Sequence, residues 1–318
     1  MNIYHHLFII IMSQIFFPMS NSLKTEKNEI KILAIGNSIA QDSYSYVPFI
    51  SQIKENFDFT IGIAYIGGAT FENHLDNFYS GEKYLYHKIK SNENSWTTLT
   101  NYSLEQMIKD EEWTHITFQQ ASGLSFDYST HSNLKELLLK VKEKAKTVPK
   151  FGWLFIPVRP EKYVLSINTY SEAELEKYYI LLVSTIKKVM EEYNFDFIFP
   201  VGTAIRNALN NKNGINKLKD ENGIEVNLDN NDNLHMRNGI PKLIEAYTIA
   251  EQLLKMFQIN SSIVDDKIEI DFNTTNEWKC PGDINRKFGG PVNNINRGIA
   301  QKCAILAVEN PYKKSIIE

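Results

Sequence analysis

The sequence predicts an α/β protein: a flavodoxin-like parallel sheet of about five strands, covered by helices on both faces as a three-layer sandwich. Two observations carry this. Short, continuous apolar runs recur along the chain at 30–35, 59–66, 115–118, 152–156 and 195–201. Between or after them lie stretches whose apolar residues repeat every three to four positions. Continuous apolar strands belong to a sheet buried on both faces, and strand–helix alternation makes that sheet parallel.

Each element has its own pattern. In 134–147, Leu137, Leu138, Val141 and Ala145 share one helical face. In 172–193, Leu175, Tyr178, Tyr179, Leu182, Ile186 and Met190 do the same. Further helices are predicted over 47–56, 240–257 and 297–309. Residues 210–233 are rich in Asn, Asp and Gly and read as a loop. Ile268 to Phe272 alternates like a strand. Residues 23–257 are expected to form the main domain, and 258–318 an extension packed on it.

The composition excludes some functions. Of 318 residues, 43% are hydrophobic and 23% charged, enough apolar material for a sizeable core. The net charge of −4 provides no general basic field for nucleic acid. Met1 to Ser22 has no Asp, Glu, Lys or Arg, and its apolar stretch Leu7 to Phe17 is too short to span a bilayer. It fits a secretory leader cleaved after Ser22, with small residues at Ser20 and Ser22; the alternative is an uncleaved membrane anchor. This predicts an exported protein with no stable membrane partner. Cys280 and Cys303 are compatible with a disulfide or with two separate thiols.

The candidate chemistry sits at strand ends. Ligands of parallel α/β sheets bind beyond the carboxyl ends of the strands. Ser38 follows the first strand in Gly36-Asn37-Ser38-Ile39, where Gly36 allows a sharp turn and a following helix would point N–H groups at the hydroxyl. A capping or turn serine has the same signature. The second strand runs into Gly67-Gly68-Ala69-Thr70, where glycine lets backbone approach a ligand and donate an N–H. The third ends in Gln119-Gln120-Ala121-Ser122. A side-chain amide there suits either a developing oxyanion or a structural network. Asp232 and His235, three residues apart, pair a carboxylate with an imidazole that could take the serine proton. His74, His87, His115 and His131 read by default as surface residues. No zinc-ligand spacing is present, so no metal is expected.

The order of these blocks resembles that of the SGNH (GDSL-type) hydrolases. Gly36-Asn37-Ser38-Ile39 is similar to the serine block, with Asn37 where the name-giving motif has Asp. Gly68-Ala69-Thr70 looks like the glycine block, and Asp232-Asn233-Leu234-His235 like the Asp-x-x-His block. The third block departs, with Gln119-Gln120-Ala121-Ser122 in place of Gly-x-Asn-Asp. Gly67 to His74 and the Gln-Gln-x-Ser block resemble a branch found largely in exported bacterial proteins. The resemblance covers about residues 30–257. It implies an esterase with Ser38 as nucleophile, His235 as base and Asp232 as its partner. The backbone of Ser38 and Gly68 and the side chain of Gln119 would form the oxyanion hole. Asn37, His74, Gln120 and Ser122 are the expected substrate-binding residues. The implied substrate is an O-acyl, above all O-acetyl, ester on a glycan. The alternatives are a lipid-type or acyl-transfer enzyme and a non-catalytic glycan-binding protein. Phe71, Tyr44 and Tyr46 would stack on sugar rings or pack in the core.

Overall fold

A computed structural model describes residues 26–158, 171–209, 218–219, 222–224, 226, 228–229, 234–267, 281 and 286–317. Seven strands form one sheet: β1 (Asn28–Gly36), β2 (Phe57–Tyr65), β3 (Lys83–Lys90), β4 (Thr97–Ser103), β5 (His115–Phe118), β6 (Lys150–Leu154) and β7 (Phe197–Phe199). Their order is β4-β3-β2-β1-β5-β6-β7. The five strands β2, β1, β5, β6 and β7 run parallel, and β3 and β4 add an antiparallel pair beyond β2.

The sheet therefore has seven strands rather than five. All five apolar runs became strands, but β3 and β4 carried no such signal. Lys83–Lys90 mixes Lys, Tyr and His, and Thr97–Ser103 has Leu99 as its one aliphatic residue. They lie at the sheet's edge, where much of each strand meets solvent, so a continuous apolar run is not needed. The last strand is also shorter than expected. Pro200 follows Phe199, and Val201 opens a helix.

Alternation along the central strands builds two cores. Ile30, Ile32 and Ala34 of β1 face one cluster, and Leu33 and Ile35 face the other. The first face is covered by α1 (Ser38–Tyr44), α2 (Ser51–Asn56), α7 (Val201–Leu209), α8 (Ile240–Met256) and α9 (Asn294–Glu309). The second is covered by α4 (Leu104–Ile108), α5 (Leu134–Lys144) and α6 (Glu172–Glu192). Between them in the chain, α3 (Phe71–Ser80) follows β2. The end of the chain is part of this core: α9 buries Ala300, Cys303, Ala304 and Ala307 in the first cluster. The Cys303 thiol is fully buried, which pushes its pKa up. Cys280, residues 1–22 where a leader is expected, and the alternating run 268–272 lie outside the described residues. No described helix is long and apolar enough to cross a membrane.

Candidate active site

The site is built around the turn from β1 into α1. Ser38 is the first residue of α1 and is 7% exposed. Asn37 caps the helix: its Oδ1 accepts from the Ile39 N–H at 3.0 Å. The same Oδ1 accepts from Gln119 Nε2 at 2.8 Å, across from the end of β5. Asn37 Nδ2 donates to the Ala69 carbonyl at 3.1 Å. One amide thus ties together the ends of β1, β2 and β5.

Gly36 is required by this packing. A Cβ there would lie 2.9 Å from Ala40 Cβ and 2.9 Å from Gln119 Cγ. Its carbonyl lies 3.0 Å from His74 Nε2, on α3. A carbonyl only accepts, so Nε2 carries the proton. His74 is completely buried, and burial pushes its pKa down to about 4, which leaves a neutral imidazole at neutral pH. Gly68 stands in contrast. It has φ +68°, the left-handed region that favours glycine, and nothing lies within 4 Å of where its Cβ would be. Its neighbour Ala69 is held by an N–H bond to the Ile66 carbonyl at 3.2 Å, and Thr70 then caps α3.

The four residues expected to bind substrate are buried: Asn37, His74, Gln120 and Ser122 are 2%, 0%, 1% and 5% exposed. Gln120 donates to the Thr130 carbonyl at 2.7 Å and accepts from the Ala121 N–H at 2.8 Å, which closes the loop after β5. Ser122 begins a short 3₁₀ turn, and its carbonyl accepts from the Ser125 hydroxyl. Gln119 Nε2 donates to Asn37 Oδ1 and, at 3.3 Å, to the Gln120 carbonyl. Its amide hydrogens are directed at protein acceptors rather than at open space.

Other assignments change as well. His87, His115 and His131 are buried, not superficial. His87 bridges Gln41 and Thr98, His115 meets Thr114, and His131 meets the Asp127 carbonyl. Each is pushed down in pKa by burial. Tyr44, Tyr46 and Phe71 are at most 1% exposed and belong to the core.

His235 is partly buried and stands at a bend, just before two isolated bridges that lead into α8. Asp232 lies outside the described residues. The segment is pinned on several sides. Met236 pairs with Asp229 in an antiparallel bridge, and the Arg237 N–H donates to the Leu228 carbonyl at 3.0 Å. Asn238 pairs with Phe288, and the Gly239 N–H donates to the Tyr46 hydroxyl at 3.2 Å. The Met236 N–H donates to Asp42 Oδ2 at 3.2 Å. Asp42 lies on α1, four residues after Ser38. The His235 segment is therefore docked on the same short helix that begins with the serine. Asp42 also meets Arg286 Nε at 3.3 Å and Lys242 Nζ at 3.4 Å. The sequence analysis missed this ionic group. Its signals were an Asp at i+4 from the serine and a Lys within the otherwise apolar start of α8.

Among the described residues, no three His, Cys, Asp or Glu side chains gather in a way that could hold a metal ion.

No curated protein matches this chain. A crystal structure of a DUF4886 family protein from Bacteroides uniformis ATCC 8492 is similar in fold, with a TM-score of 0.68 at 23% identity. The match covers 91% of this chain and 98% of that one. A second solved chain, at 15% identity and a TM-score of 0.39 over 72% of this chain and 98% of that one, is too distant to carry an argument. The family model described as "Domain of unknown function (DUF4886)" matches residues 31–269, and this chain belongs to that family.

Proposed function

We propose that the protein is an exported serine esterase of SGNH type that removes an O-acyl group, above all O-acetyl, from a carbohydrate. One observation carries the reading. Ser38 starts a helix at the end of the central strand β1, and the His235 segment docks on that same helix through Asp42. A nucleophile and a base are thereby referred to one rigid element.

In this reading, Ser38 Oγ attacks the acyl carbonyl while His235 takes its proton. The alkoxide of the sugar leaves with that proton. Water, activated by the same imidazole, then releases the acid from Ser38. Asp232 orients the imidazole. The N–H groups of Ser38 and Gly68 stabilise the oxyanion, and the open space beside Gly68 supports this role. Gln119 acts as a third donor only if it releases Asn37. Otherwise it acts by fixing Asn37 and, through Ala69, the Gly68 turn. The mechanism needs no cofactor. The leader 1–22 supports export, with mature protein starting near Leu23.

A second reading is favoured by Gln119. Its amide is engaged with Asn37 rather than directed outward, as would suit a glycan-binding protein on the same scaffold. Acetate release from acetylated sugars and from 4-nitrophenyl acetate separates the two. The esterase reading predicts release that is lost in Ser38→Ala. Glycan binding without release by wild-type protein supports the binding module.

A further inference from the structure

We infer that Asp42 is a positioning residue that sets where His235 stands relative to Ser38. The inference rests on the esterase reading for its kinetic consequence, but not for its geometry.

Asp42 is fully buried. It follows Ser38 by four residues on α1, so the two share a helical face at an axial separation of about 6 Å. Its carboxylate has three partners from two other stretches of chain. Oδ2 accepts from the Met236 N–H at 3.2 Å, and Oδ1 faces Arg286 Nε at 3.3 Å and Lys242 Nζ at 3.4 Å. Met236 is the residue after His235. The backbone that carries the imidazole is thus fixed to the helix that carries the hydroxyl by one hydrogen bond.

The choice of residue type supports a geometric role. Burying a carboxylate with two cations costs desolvation of all three, and an apolar side chain of similar volume often serves stability as well. An apolar side chain cannot accept the Met236 N–H. Arg286 and Lys242 approach the other oxygen, which leaves Oδ2 to face the His235 segment. Arg286 belongs to the stretch whose Phe288 pairs with Asn238, so the same group braces that segment from both sides.

The test uses the full mature chain and the variants Asp42→Asn and Arg286→Gln, with folding checked by circular dichroism. Asparagine can still accept one bond but removes the negative charge that faces Lys242 and Arg286. Two readouts apply: kcat and KM on a short-chain nitrophenyl ester, and the imidazole ¹H–¹⁵N resonances of His235, assigned with His235→Gln. In folded Asp42→Asn the expected result is a fall in kcat of about 10- to 100-fold with KM within about twofold, the signature of displaced groups. The His235 resonances should move. Arg286→Gln, at the 9%-exposed edge of the cluster, should move the same resonances less. Folded Asp42→Asn with wild-type kcat and unmoved resonances would overturn the inference. If Asp42→Asn does not fold, unmoved His235 resonances in folded Arg286→Gln overturn it instead. Wild-type protein without esterase activity defeats the esterase reading, while the resonances still decide the positioning one.

Discussion

Two supports meet at the start of α1, and they are made of different chemistry. On the β2 and β5 side, Asn37, Gln119, Ala69 and His74 form a neutral network of amide, carbonyl and imidazole groups. On the α8 side, Asp42, Lys242 and Arg286 form a buried ionic group. The neutral side joins strand ends that the sheet already holds close, so directional hydrogen bonds are enough to fix them. The ionic side must capture the His235 segment, which reaches α1 across nearly two hundred residues of chain. A carboxylate, acting on a backbone N–H and two cations at once, holds several pieces that the sheet does not position. The two sides should therefore fail in different ways.

The largest effect is expected on the ionic side. Asp42→Ala leaves Lys242 and Arg286 without their carboxylate and should cost about 3–5 kcal/mol in urea unfolding. Gln119→Ala removes a neutral donor while Asn37 Oδ1 keeps the Ile39 N–H, and should cost about 1–3 kcal/mol. Equal costs, or the reverse order, would break the comparison.

Acid should act on the neutral side. The His74 pKa falls from about 6.5 in the unfolded chain to about 4 when buried. Between these values the unfolded state binds more protons. Stability is therefore full above about pH 6.5 and declines as the pH drops towards 4. At about 1.4 kcal/mol per pH unit, His74 accounts for about 3 kcal/mol of that decline. His74→Asn supplies a donor that does not titrate and should flatten the pH–stability curve by this amount. An unchanged slope would remove His74 from the account.

Smaller effects sharpen the comparison. Asn37→Asp turns an acceptor towards the Ala69 carbonyl, at a cost of about 1–3 kcal/mol. It should also lower kcat, because the Gly68 turn loosens. A double-mutant cycle with Gln119→Ala should be non-additive, since both changes act on the side chain at position 37. Gln120→Ala, which frees the Thr130 carbonyl, should cost about 1 kcal/mol and leave kcat near wild type. A larger fall in kcat for Gln120→Ala than for Gln119→Ala would reverse their roles.

The central strands were legible in the sequence because a sheet buried on both faces needs unbroken apolar runs. β3 and β4 were not, because an edge pair partly open to solvent keeps its Lys, Thr and Tyr. Gly36, Asn37 and Ser38 were legible as a turn with a polar end. The role of Asn37 was not, since its partners Ala69 and Gln119 lie 32 and 82 residues away. Asp42 carried no signal of its own, because only the fold brings Met236, Lys242 and Arg286 to it. The histidines of β3 and β5 read as surface residues. Their burial depends on Thr98 and Gln41, or Thr114, being in reach.

The central claim is that Ser38 is a nucleophile activated by His235. Treatment with a fluorophosphonate probe, followed by peptide mass mapping, tests it most directly. One adduct on Ser38 of the wild-type protein is expected, with strongly slowed labelling in folded His235→Gln. An unlabelled wild-type protein, or an adduct on a different residue with Ser38 free, would contradict it.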